Sequence, residues 1–136
     1  MDVAPILIVD DDPQDRELTQ VALRRLPLKA PLVFLTSGAD FKDYLEGLGP
    51  YANRVLYPYP SVTLLDLEMP KGGGIEALEW LKGQPRHAAL PIIALSGKRD
   101  AAKVTQAYSL GARSFLTKPI DVKDFQSVVK SLKITI

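Results

Sequence analysis

Short apolar runs alternate along the chain with longer stretches in which apolar residues recur at helical spacing. The runs are Ile6-Leu7-Ile8-Val9, Leu32-Val33-Phe34-Leu35, Val62-Thr63-Leu64-Leu65, Ile92-Ile93-Ala94-Leu95 and Ser114-Phe115-Leu116-Thr117. They are too short for core helices and rich in branched residues. They lack the in–out alternation of a strand with one wet face, so they predict parallel strands buried on both sides. Between them, Asp12 followed by Pro13 predicts a capped helix start, with Leu18, Val21, Ala22 and Leu26 on the apolar face. A short second helix is expected from Asp40 to Leu48. Ile75, Leu78 and Leu81 mark a third, after Gly72-Gly73-Gly74. Ala101, Val104 and Ala107 mark a fourth, stopped by Gly111. Asp121 caps a fifth that carries Val122, Phe125, Val129 and Leu132 along one side.

Five strands alternating with five helices predict an α/β architecture, a doubly wound parallel sheet with right-handed crossovers. The length of 136 residues suits one domain. Residues 49–60, with Pro50, Pro58, Pro60, Tyr51, Tyr57 and Tyr59, break the alternation and are expected to form a surface loop.

Composition narrows the chemistry. With 46% apolar and 24% charged residues, a core can form without staples, and the absence of cysteine removes disulfides, thiolate metal sites and thiol nucleophiles. A net charge of +1 gives no footprint for nucleic acid or an anionic membrane. No apolar run approaches the roughly 20 residues of a membrane span. The start, Met1-Asp2-Val3-Ala4-Pro5, lacks the basic and apolar regions of a secretion signal, so a cytoplasmic location is expected.

Four of the five runs break off at a polar residue: Asp10-Asp11-Asp12, Asp66, Ser96 and Lys118. In an open parallel sheet the carboxyl ends of the strands share one crevice, where such folds bind ligands. Asp10, Asp11 and Asp66 should therefore meet, bordered by Ser96 and Lys118. Two carboxylates about 4 Å apart repel by about 4 kcal/mol at an effective dielectric near 20. Such a cluster calls for a cation, and an oxygen-only donor set favours Mg²⁺. Mg²⁺, an ammonium, a hydroxyl and an aspartate are the parts of a phosphoryl-transfer site, with Asp66 as nucleophile. Each part alone has a structural use: Asp12 before Pro13 reads as a cap, and Phe115 reads as core. Their joint placement at the strand ends carries the functional reading.

At this point the sequence resembles the receiver domains of two-component response regulators. Ile6 to Pro13 resembles their opening acidic strand end. Leu64-Leu65-Asp66-Leu67-Glu68-Met69-Pro70 resembles the phosphoacceptor strand, with Gly74 at the glycine position. Ile93-Ala94-Leu95-Ser96-Gly97 resembles the hydroxyl-bearing strand, and Gly111 to Pro119 the closing lysine–proline motif. The resemblance implies a flavodoxin-like sheet in the order 2-1-3-4-5, with Asp66 as phosphoacceptor. It implies direct Mg²⁺ ligation by Asp11, Asp66 and the backbone carbonyl of Glu68, with Asp10 acting mainly through water. Ser96 would bond the phosphoryl group, Lys118 would pair with it, and Phe115 would be the aromatic switch. The Lys118–Pro119 bond is expected to be cis. Glu68 and Lys98 stand where the family tunes acyl-phosphate lifetime, by shielding or ordering the attacking water. Phe115 replaces a frequent tyrosine, and Gly73 a frequent aspartate.

The ending Lys133-Ile134-Thr135-Ile136 leaves no room for an output domain, which implies a single-domain regulator. The Pro/Tyr loop resembles small regulators that pair with phytochrome-type histidine kinases. Such relatives often dimerise, and Tyr108, Phe115, Ile134 and Ile136 are the expected contacts. The only histidine, His87, lies in a Pro-flanked loop and is expected to be exposed and inert, so the donor histidine belongs to a partner kinase. The downstream target is not legible. The expected role is signalling, with self-phosphorylation and self-dephosphorylation as its only chemistry.

Other functions fit less well. A haloacid-dehalogenase-type hydrolase wants a second aspartate two residues after the nucleophile, where this chain has Glu68. A flavin-mononucleotide carrier of the same fold would seat its phosphate after the first strand, where three aspartates would repel it. A phosphorylation-independent adaptor is the main alternative.

Overall fold

The apolar runs and helical stripes assemble as a five-stranded parallel sheet in the order β2-β1-β3-β4-β5. The strands are β1 (Ile6–Val9), β2 (Leu32–Leu35), β3 (Val62–Asp66), β4 (Ile92–Ser96) and β5 (Ser114–Thr117). The helices are α1 (Pro13–Leu23), α2 (Gly38–Glu46), α3 (Gly73–Lys82), α4 (Ala101–Ser109) and α5 (Val122–Ser131). The computed structural model describes residues 3–70, 73–97 and 100–136. Met1 and Asp2, Gly72 of the glycine run and Lys98 lie outside the described residues.

Both faces of the sheet are covered, which is why its strands are apolar throughout. Leu7, Val9, Leu65 and Ala94 point to one side and pack with Phe41, Tyr44, Ala77, Leu78 and Ala107 from α2, α3 and α4. Ile6, Ile8, Leu64, Ile93 and Leu95 point to the other and pack with Leu23, Phe125 and Val129 from α1 and α5. Asp12, Asp100 and Asp121 cap α1, α4 and α5, each accepting two backbone N–H groups with its side chain. Ser37 caps α2, so that helix starts before Asp40, and Gly47 at φ 65° ends it before the expected Leu48.

The buried face of α1 differs from expectation. Thr19, Ala22 and Leu23 are buried, while Leu18 and Val21 are about half exposed. Leu18 lies about 100° round the helix from Thr19. The helix is turned so that the line through Asp15, Thr19, Ala22 and Leu23 faces the sheet.

The chain end also folds inward. After a turn at Lys133, with φ 57°, the Ile134 N–H donates to Val129 O at 3.1 Å. Ile134 and Ile136 are half-buried against the α1/α5 core.

The Pro/Tyr loop is built around one arginine. Arg54 Nη1 donates to Tyr44 O at 2.7 Å and Tyr57 O at 3.0 Å, and Nη2 to Leu45 O at 3.1 Å. The guanidinium also lies 5.6 Å from the Tyr44 ring. Tyr44, Tyr51 and Tyr57 pack edge-on and tilted, with centroids 5.0–6.1 Å apart, and the Tyr44 hydroxyl donates to Pro58 O at 2.9 Å. Arg54→Ala removes the partners of several part-buried carbonyls, each costly to leave unmet. It should lower stability by about 2 kcal/mol, read as a lower urea midpoint with unchanged slope. An unchanged midpoint would show that water replaces the guanidinium.

His87 corrects another expectation. It is buried in a 3-10 turn over Pro85–His87 and makes specific contacts. Nδ1 lies 2.7 Å from the Tyr59 hydroxyl and Nε2 3.4 Å from Glu46 Oε2, while Arg86 Nε donates to the same oxygen at 3.0 Å. The imidazole stacks on Tyr59 and lies beside Trp80. Burial pushes its pKa below the ordinary histidine value, and the nearby Arg86 and Arg54 act in the same direction. Flanking prolines marked a turn correctly, but the partners that bury the ring come from Glu46 and Tyr59, far away in sequence.

Candidate phosphoacceptor and metal site

Register places the site. Val9 pairs with Leu65, so the next residues, Asp10 and Asp66, stand side by side at the carboxyl end of the sheet. Leu95 is level with Asp66, and Ser96 pairs with Thr117, which precedes Lys118. The Lys118 N–H donates to Ser96 O at 2.9 Å and locks the last strand to its neighbour. Leu67 N–H does the same to Leu95 O, also at 2.9 Å.

Asp10, Asp66 and Ser96 are buried, and Asp11 is exposed at the mouth. One carboxylate oxygen from each of Asp10, Asp11 and Asp66 lies within 4.8 Å of the others. Asp10 Oδ1 accepts from the Asp12 N–H at 3.0 Å, and Asp66 Oδ1 from the Glu68 N–H at 2.9 Å. The Lys118 ammonium lies 3.2 Å from Asp10 Oδ2 and 3.2 Å from Asp66 Oδ2. The Lys118–Pro119 bond is cis, as expected.

Burial pushes the Asp66 pKa up from 3.8 to about 6; the Asp10 charge adds to the rise, while the Glu68 N–H and Lys118 oppose it. Burial works against the Lys118 charge too, but Asp15, Asp66 and Asp10 together hold its pKa above the ordinary lysine value. The acidic cluster is thus under-neutralised by one ammonium. Its donors are all carboxylate oxygens, close enough to share an ion, with no histidine or cysteine among them. That set fits a hard divalent cation.

Ser96 is held by a residue expected here for another reason. Its hydroxyl donates to Glu68 Oε1, and the Gly97 N–H donates to Glu68 Oε2 at 3.2 Å. Phe115 is half-buried beside a groove lined by Ala101, Val104 and Thr105. Tyr108, on the same helix as that groove, is about half exposed.

Two residues of the site were not singled out from the sequence. Asp15 Oδ2 lies 2.6 Å from Lys118 Nζ, closer than either Asp10 or Asp66. Arg16 Nη1 donates to the backbone carbonyl of Asp10 at 2.8 Å and fixes the end of β1. The available signal was spacing: Asp15 is three residues after the cap Asp12, on the first turn of a helix that starts at the strand ends.

The chain matches the family described as "Response regulator receiver domain" over residues 6–130. It is 30% identical to the response regulator Rcp1 of Synechocystis sp. over 128 residues, covering 94% of this chain and 85% of that protein. The bacteriophytochrome response regulator AtBRR superposes with a TM-score of 0.87 at 34% identity, covering 100% of this chain and 96% of that one. The Mn²⁺-bound form of Rcp1 superposes at 0.77 with 31% identity, over 94% and 92% of the two chains. The phosphorylated cyanobacterial phytochrome response regulator RcpA superposes at 0.78 with 28% identity, over 96% and 91%. No helix among the described residues is long and apolar enough to cross a membrane.

Proposed function

Because the chain belongs to the response-regulator receiver family, we propose that it accepts a phosphoryl group on Asp66 from a histidine kinase and reports it through the α4–β5–α5 surface. The observation that carries this is the placement of a buried carboxylate, Asp66, beside Asp10 and Asp11 on one side and 3.2 Å from the Lys118 ammonium on the other. A phytochrome-type kinase is the proposed donor, on the likeness to the bacteriophytochrome and cyanobacterial phytochrome regulators.

In this reading a carboxylate oxygen of Asp66 attacks the phosphorus of a phosphohistidine. The P–N bond breaks, the imidazole leaves with the electron pair, and an acyl phosphate forms on Asp66. A divalent ion such as Mg²⁺ would be held by Asp11, Asp66 and the Glu68 backbone carbonyl, with Asp10 acting mainly through water, and would supply positive charge against the phosphoryl oxygens. Lys118 pairs with one such oxygen. Ser96 gives up Glu68 and donates to another. The new group adds about −1.5 to −2 charges, enough to redirect both donors. The movement of Ser96 leaves room for Phe115 to turn inward past the groove lined by Ala101, Val104 and Thr105. The exposed Tyr108 is then on the surface that changes, and it is the proposed centre of any phosphorylation-linked dimer.

Glu68, with Lys98, is proposed to set the lifetime of the acyl phosphate. Its carboxylate already spans the Ser96 hydroxyl and the Gly97 N–H. The decisive test is binding of beryllofluoride, a phosphoryl mimic, followed by ¹⁹F NMR with and without Mg²⁺. Bound resonances that require Mg²⁺ are expected. A chain that binds no beryllofluoride at millimolar Mg²⁺ would be a phosphorylation-independent adaptor instead.

A further inference from the structure

The nearest anion to Lys118 is not a member of the acidic cluster. Asp15 Oδ2 is 2.6 Å from the ammonium, whereas Asp10 and Asp66 are each at 3.2 Å. The Asp15 side chain is about one-third exposed and the Lys118 side chain 9% exposed, so the pair stands at the rim of the cleft.

The route by which Asp15 reaches Lys118 is legible in the helix start. In a capping box, a glutamate or glutamine three positions after the cap folds back to accept the cap's own N–H. Here the Asp12 N–H is already taken, donating to Asp10 Oδ1 at 3.0 Å. Asp12 still caps the helix through its side chain, accepting from the Gln14 and Asp15 N–H groups. Asp15 is therefore released from the capping role and turned toward the ammonium.

We propose that Asp15 is a positioning residue that parks the Lys118 ammonium in the resting protein, so that Asp10 and Asp66 remain available to a divalent ion and Lys118 must be drawn from Asp15 when the phosphoryl group arrives. This rests on the reading of Asp66 as the phosphoacceptor. Two effects of opposite sign follow. Lys118 already touches Asp10 and Asp66 at 3.2 Å; without the Asp15 charge to share it, the ammonium leans harder on both and competes with the ion, so the metal binds more weakly. The phosphoryl mimic no longer competes with Asp15 for Lys118, so the mimic binds more tightly. A residue that only supports the helix would weaken both.

The test is Asp15→Asn in the full chain, which keeps size and helix position. Mn²⁺ alone is titrated first, by water-proton relaxation, and beryllofluoride is then titrated at saturating Mg²⁺ by ¹⁹F NMR. The expected result is roughly fivefold weaker Mn²⁺ binding and roughly fivefold tighter beryllofluoride binding, the scale of a part-exposed ion pair. Asp15→Glu, which can still reach the ammonium, should restore both toward wild type. Parallel weakening of both ligands, or no change in either, overturns the proposal while leaving the phosphoacceptor reading intact. Failure of the wild-type chain to bind beryllofluoride overturns that reading, and this proposal with it.

Discussion

Asp66→Asn should take no label from acetyl phosphate and should also be more stable than wild type at neutral pH in the absence of divalent ions. The first effect follows from losing the oxygen proposed as nucleophile and should be complete. The second follows from the titration of Asp66. Its folded-state pKa of about 6 lies above the ordinary 3.8, so the folded chain prefers the protonated form. Below about pH 4 both states hold the proton and the preference costs nothing. As pH rises through 6, the folded state must ionise a buried carboxylate beside Asp10, and stability falls. The gap between 3.8 and about 6, at about 1.4 kcal/mol per tenfold change in proton affinity, bounds the gain from asparagine at about 3 kcal/mol. The value of about 6 already includes the opposing pull of Lys118, so a gain of about 2–3 kcal/mol is expected at pH 7. The gain should vanish near pH 4, and added Mg²⁺ should reverse it by stabilising wild type alone. Equal melting temperatures at pH 7, or a gain that persists at pH 4, would contradict this account of the site.

Gly74→Ala should damage the fold severely. An added Cβ would stand 2.2 Å from Asp66 O and 2.9 Å from Leu67 Cα. These are backbone atoms, so no rotamer change relieves the clash. Either α3 moves away from the end of β3 or the Asp66 peptide tilts. The first opens the packing of Ala77 and Leu78 against the sheet, and the second re-aims the carboxylate. A loss of about 3 kcal/mol or more is expected, at the upper end for overpacking, with reduced labelling in whatever fraction folds. Gly73→Ala is a useful contrast, since its Cβ would meet the Met69 side chain at 3.3 Å and its backbone sits at φ 40°. Wild-type stability in Gly74→Ala would mean the helix start is far looser than its close approach suggests.

The strands and the site they share were legible because one physical signal specified both. A buried parallel strand must be apolar along its length, so a polar residue where it stops stands out. Asp10, Asp66, Ser96 and Lys118 were found this way, and the register brings them together. Helix faces were harder to read. On α1, apolar periodicity suggested Leu18 and Val21, but the rotation is set by the face carrying Asp15 and Thr19, with Ala22 and Leu23 filling the core. A threonine is buried on this helix while two aliphatic residues stay half exposed, and hydrophobicity alone does not report that. Asp15 itself was overlooked because its partner, Lys118, is more than a hundred residues away. His87 failed for the same reason, its burial depending on Tyr59 and Glu46. The role of Glu68 as acceptor from Ser96 needed the positions of two strand ends at once.

In the parallel sheet the acidic cleft and the Arg54 clamp lie at opposite ends of the strands. Asp66 closes β3, whereas the clamped loop leads into its first residue, Val62. The two share no side-chain partner among the described contacts. Their free energies should therefore add. A chain carrying both Arg54→Ala and Asp15→Asn should show the summed loss of folding stability, while its ligand affinities match those of Asp15→Asn alone. One polypeptide thus offers two independent adjustments, one for how long it survives and one for how readily it is charged.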